Sequence, residues 1–113
     1  MIGKRILVAI TLLFLGSVAG AAGYSSWAVP TSVEIVSGGI VIFGAFGNEN
    51  NCSTADAILY PSTQVDYDVV VSMALAAVTA GREMRFYADE CVTFAFHGGT
   101  INRARNGQAI YFR

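Results

Sequence analysis

Asp56-Ala57-Ile58-Leu59-Tyr60 is an apolar extended segment stopped by Pro61, and Ser62-Thr63 leads from it into a second stretch, Gln64 to Gly81. Thr63 stands three residues before Asp66, which is a capping-box spacing with acid in the first turn. Gly81 suits the left-handed position that closes a helix. Tyr67, Val71, Ala74 and Val78 fall on one stripe, with Gln64, Asp68, Ser72 and Thr79 opposite. The run Val69-Val70-Val71 favours a strand mildly, because branching at Cβ stiffens the side chain. Caps and length outweigh it, and the sequence predicts one helix over Gln64–Ala80.

Everything around that helix reads as strand and turn. Downstream, Arg82 to Asp89 alternates, with Met84, Phe86 and Ala88 on one face and charge mostly on the other. Cys91 ends this strand in the sequence reading. Val92 to Phe96 is a short apolar run broken by Gly98-Gly99. Thr100–Arg103 and Ala109–Phe112 are final extended pieces about an Asn106-Gly107 turn signal. Upstream, Val33–Ser37 and Ile40–Phe43 are strands about a Gly38-Gly39 turn, and the second is apolar on both faces. Gly44 and Gly47 around Phe46 predict a bend. Asn48 to Thr54 is a polar loop, and Ser25 to Trp27 is a loosely ordered lead.

The 113-residue chain opens with a separate segment. Lys4-Arg5 is a basic start, Ile6 to Leu15 is apolar, and Ala19-Gly20-Ala21 fits a signal-peptidase site, which predicts a leader over residues 1–22. The rival is an uncleaved anchor, since the apolar stretch reaches the lower limit of a bilayer span. Its Gly- and Ala-rich end, with no basic cluster after it, favours cleavage. Residues 23–113 then form one small exported domain, secreted or periplasmic and without a stable membrane anchor.

Past the leader there are eight acids, five arginines and no lysine, a net charge of about −3. That balance lacks the footprint of a nucleic-acid binder. Cys52 and Cys91 are the chain's two cysteines. In an oxidising compartment they are expected to form a disulfide. Two cysteines and one histidine make a poor metal-ligand set.

Motifs for catalysis or cofactor binding are missing. There is no nucleophile elbow, phosphate loop with lysine, or zinc-protease helix. Asp66 and Asp68 are explained by the helix dipole, and Asp89-Glu90 by a solvated strand end. His97, the sole histidine, has no Ser, Cys or Asp tied to it by spacing. No enzyme and no cofactor is expected. Aromatic rings are the remaining resource. Trp27, Tyr60 and Tyr87 are the candidate binding aromatics, with Tyr24 and Tyr111 beside them; each also has a plain packing role open to it. Val69, Met73 and Ala77 make a second apolar helix flank. It reflects either the helix propensity of alanine or a contact with a neighbouring copy in a homo-oligomer.

Strand, strand, strand, helix, strand, strand is the order of a five-stranded OB barrel, so the expected class is mostly β with one helix and an OB-like barrel. An α+β sheet with one covering helix is the alternative. The Ala-rich helix, Ala80-Gly81, and the alternating strand ending at Cys91 resemble short secreted bacterial proteins. More distantly they are similar to receptor-binding B subunits of bacterial toxins of the subtilase cytotoxin type. The resemblance implies an OB barrel, pentameric assembly and a glycan ligand; no sugar-binding residue carries over to a position here. The expected function is a non-catalytic binding module for a glycan or a protein surface. A structural or inhibitory role in the cell envelope is the alternative.

Overall fold

The computed structural model describes residues 23–104 and 110–113. The leader reading and the Asn106-Gly107 turn lie outside the described residues. The fold is mostly β with one helix. In chain order the elements are β1 (Gly23–Tyr24), β2 (Ser32–Val36), β3 (Gly39–Phe43), β4 (Thr54–Pro61), α1 (Tyr67–Ala80), β5 (Met84–Arg85), β6 (Tyr87–Thr93), β7 (Thr100–Ala104) and β8 (Tyr111–Phe112). Among the described residues, no helix is long and apolar enough to cross a membrane.

Six strands form one sheet in the order β1-β6-β7-β4-β3-β2, and β5 pairs with β8 in a second, two-stranded sheet. β2, β3 and β4 are an antiparallel meander. β7 then inserts parallel to β4 and antiparallel to β6. The expected closed barrel is not formed, because β1 and β2 remain as the two edges of the sheet. β6 pairs with the short β1 where a closed barrel would need β2.

Side-chain alternation explains why Ile40–Phe43 is apolar at every position. Ile40 and Ile42 join Ile58 and Tyr60 in the main core. Val41 and Phe43 point the other way, into a second cluster with Ala57, Leu59, Phe94 and Ile101. A strand buried on both faces reads as a continuous apolar run rather than an alternating one. Each fully covered Ile or Val contributes about 1.5–3 kcal/mol of transfer free energy.

The turn between β2 and β3 is Ser37-Gly38, with Gly38 at φ +97°. Gly39 already belongs to β3 and faces Pro61 in the register. A Cβ on Gly39 would run into the Tyr60 carbonyl, so this position must stay bare. The expected bend after β3 is present. Asp56, itself at φ +58°, accepts the Gly47 N–H on its carboxylate at 2.9 Å. Its own N–H donates to the Gly47 carbonyl at 2.8 Å.

α1 begins at Tyr67, three residues later than expected, and the capping box does not form: Asp66 makes no side-chain cap bond. Its carboxylate instead accepts the Tyr60 hydroxyl at 2.8 Å. Gly81 closes the helix in the left-handed conformation, donating its N–H to Ala77. The buried stripe is Val70, Ala74 and Ala77, with Tyr67, Val71 and Met73 packed beside it. It is rotated from the expected stripe toward the alanine-rich flank.

The single strand expected over Arg82–Asp89 is two. β5 leaves the large sheet for β8, and β6 continues through Cys91 to Thr93. The alternation is as expected, with Met84, Phe86 and Ala88 all buried. The lead is also more ordered than expected. The Ser25 N–H donates to Phe86 at 2.7 Å, and Ala28 bridges Met84.

Cys52 and Cys91 form the disulfide, with S–S 2.04 Å and Cα atoms 5.6 Å apart. It is the kind of bond that persists outside the reducing cytoplasm. A polar knot surrounds it. The Asn48 carboxamide exchanges two 2.8 Å bonds with the Cys52 backbone. Buried Asn102 donates to Asn48 at 2.9 Å and accepts from Asn50. Every polar end of Asn102 named here is matched, as burial demands.

Candidate functional site

The exposed surface with the richest chemistry is built on β5. Met84 turns into the core while Arg85, next in sequence, turns outward. Pairing sets what surrounds Arg85. Its register partner on β8 is Tyr111, and the Ala28–Met84 bridge brings the lead alongside. The β1–β6 register sets Tyr24 opposite Tyr87.

The rings meet as that register requires. Tyr24 and Tyr87 pack edge to face at 5.1 Å. Tyr111 lies 5.9 Å from Tyr24 and 5.8 Å from Trp27. Three guanidinium groups lie over these rings or beside them. Arg85 sits 4.6 Å above Tyr24 and 6.0 Å from Tyr111. Arg113 sits 3.9 Å above Trp27, and Arg82 5.4 Å above Phe112. Each arrangement is a cation–π contact, and the partly wet setting leaves about 0.5–1 kcal/mol apiece.

Charge on this surface is unevenly matched. Arg113 pairs with Glu83 at 3.1 Å. The Arg85 Nε donates to the Ser25 carbonyl at 3.2 Å. Among the described residues no carboxylate pairs with Arg82 or Arg85. Tyr24 and Tyr111 are 40% and 42% exposed. A hydrogen bond with the Tyr111 side chain raises the Tyr24 hydroxyl above its ordinary pKa; burial adds to this and the Arg85 charge opposes it.

Of the expected binding aromatics, Trp27 and Tyr87 come together here with Tyr24 and Tyr111. Tyr60 does not: it is a core residue, 1% exposed, with its hydroxyl committed to Asp66. Of the helix flank, Ala77 is fully covered by the chain's own core and Met73 packs against it, while Val69 is 59% exposed. His97 lies apart from this surface, in the turn after β6. Its Nε2 meets both Glu34 oxygens, at 2.8 and 2.9 Å, and its ring stacks on Phe94 at 4.2 Å.

Sequence reasoning missed Arg82, Arg85, Phe112 and Arg113 as members of the site. The available signal was the interleaving of arginine with Phe86 and Tyr87 on one side and with Tyr111-Phe112 on the other. Among the described residues no enclosed pocket forms and no group of acids, His or Cys is placed to hold a metal. The surface is open. In comparisons with family models, curated proteins and solved structures, nothing matches the chain.

Proposed function

We propose that this chain is a non-catalytic binding module that works outside the cytoplasm, secreted or periplasmic, and presents the β5–β8 aromatic and arginine surface to a glycan or to another protein. One observation carries the reading. Residues 24–27, 82–87 and 111–113, far apart in sequence, converge to leave tyrosine, tryptophan and arginine at the surface. These residue types supply most of the binding energy at interfaces. The disulfide and the leader-like start support export.

The strand order supports an OB-type frame. Without β1, the order β2-β3-β4-β7-β6 is a meander followed by a hairpin whose second strand lies parallel beside the third meander strand. Such an order is the one a partly opened Greek-key barrel would need.

The test is a glycan array and a peptide selection run on protein produced from the full chain. Any ligand recovered should lose at least about tenfold in affinity when Tyr24→Ala or Arg85→Gln is introduced, about the 1.4 kcal/mol that one anchor supplies. Ligands bound equally by wild type and both variants would place the binding surface elsewhere. Assembly into a homo-oligomer is a second reading. It is favoured by Val65, just ahead of α1 and 93% exposed, and Val69 in its first turn, 59% exposed. Sedimentation that shows only monomer at high concentration overturns it.

A further inference from the structure

We infer that the partner of the β5–β8 surface is a protein bearing a local acidic patch. The inference rests on the binding-module reading above and deepens it by naming the partner's chemistry.

Charge is distributed unequally over the chain. The surface holds Arg82, Arg85 and Arg113 against one acid, Glu83, which Arg113 already engages. The rest of residues 23–113 carries seven acids against Arg103 and Arg105. Arg103 is consumed locally by Asp89 and Glu90, at 2.9 and 2.8 Å. The β5–β8 surface therefore carries more arginine than acid in a chain that is acidic as a whole. Screening confines its attraction to about 8–10 Å at ordinary ionic strength. A long polyanion, such as a sulfated polysaccharide or a nucleic acid, would extend well beyond the reach of these three groups. A compact protein patch with a few carboxylates would not.

Ring geometry argues in the same direction. A sugar needs a bare aromatic face on which to lie. One face of Tyr24 is covered by the Arg85 guanidinium and one face of Trp27 by that of Arg113. A guanidinium placed over a ring can still donate to a carboxylate through the N–H groups it has not committed elsewhere. The Ser25 carbonyl takes the Arg85 Nε, so the side chain is already oriented before a partner arrives. Little rotamer freedom is then lost on docking. Together with the lack of an enclosed pocket among the described residues, this describes half of a protein–protein contact.

The probe is a random dodecapeptide library selected on immobilised protein made from the full chain, alongside a glycan array. Recovered peptides should be enriched in Asp and Glu. Their binding should weaken as salt rises from about 0.05 to 0.5 M. The double variant Arg82→Glu, Arg85→Glu should bind them at least about tenfold more weakly and should select Lys- and Arg-rich peptides instead. If that variant fails to fold, Arg85→Gln, checked by its melting curve, must show the same loss. Peptides with no acidic bias, or unmoved by charge reversal, overturn the inference. Glycans that bind through Tyr24 while no peptide is recovered overturn it and leave the binding-module reading standing. Silence in both assays overturns both.

Discussion

Glu34 and His97 are 63 residues apart in sequence and meet at 2.8 Å. Glu34 stands on β2, an edge of the open sheet, and His97 in the turn after β6. The pair therefore ties the free edge to the far hairpin. Phe94, beneath His97, shares a cluster with Val36 of β2, so an apolar contact backs the polar one.

Both side chains of that pair are well exposed, at 42% and 37%, and exposed polar pairs of this kind are worth less than about 1 kcal/mol. A double-mutant cycle of Glu34→Gln and His97→Ala, read by denaturant melts, should give a coupling in that range with the fold intact. Loss of cooperative unfolding in either variant would show that edge closure depends on the pair.

Gly39→Ala should be far more damaging than its single methyl suggests. The new Cβ would occupy the place of the Tyr60 carbonyl, and the β3–β4 ladder would have to separate there. Overpacking of this kind costs about 1–3 kcal/mol or more. Gly23→Ala, where the new methyl meets nothing within 4 Å, is the control. Equal melting temperatures for the two variants would contradict this geometry.

Tyr60 donates its hydroxyl to Asp66 from within the core. Burial raises its pKa well above the usual tyrosine value, and the bond to Asp66 adds to that. The unfolded chain ionises this phenol near pH 10, whereas the folded chain keeps it protonated. Its contribution to stability is therefore full below pH 10 and falls as pH rises beyond it. Spectroscopic titration should leave one tyrosine protonated after the exposed ones have ionised, and Tyr60→Phe should remove that one. The variant should also lose about 1.5–3 kcal/mol, the worth of a hydrogen bond to a charged acceptor.

Glu49 is opposite in kind. Its Oε1 is buried without a hydrogen-bond partner among the described residues. Burial raises its pKa above the usual carboxylate value, while a backbone hydrogen bond opposes the shift. The folded state then holds this proton more tightly than the unfolded state. Stability from this group is present below the ordinary carboxylate pKa and declines as pH rises through the raised one. Glu49→Gln should raise the melting temperature at pH 7 and flatten the decline that sets in above the ordinary carboxylate pKa. A lower melting temperature at pH 7 would mean that the charge is compensated.

Much of the sheet was legible because it rests on local period. Met84, Phe86 and Ala88 alternate with polar residues, and they are buried as alternation requires. Ile40–Phe43 reads as apolar throughout because both faces of β3 are covered. The start of α1 misled because Thr63 and Asp66 form a local signal that a nonlocal partner, Tyr60, overrides. Pairing was the least legible part. Nothing near Gly23 shows that it will meet Ala88, and nothing near Phe86 shows that the chain changes sheets there. The aromatic surface shared that fate. Each ring was visible in the sequence, but their convergence needs the β5–β8 register and the Ala28–Met84 bridge, and the arginines gain their meaning only from those rings.

The cysteine bridge joins the chain just ahead of β4 to β6, and β7 lies between those two strands. Both sulfurs precede β7 in the sequence, so oxidation can pin the outer walls while the slot between them is still empty. The last long strand then enters a gap of preset width, as a wedge rather than as a partner in free search. In a reducing medium that slot has no fixed width, and the parallel β4–β7 ladder must hold its own walls together.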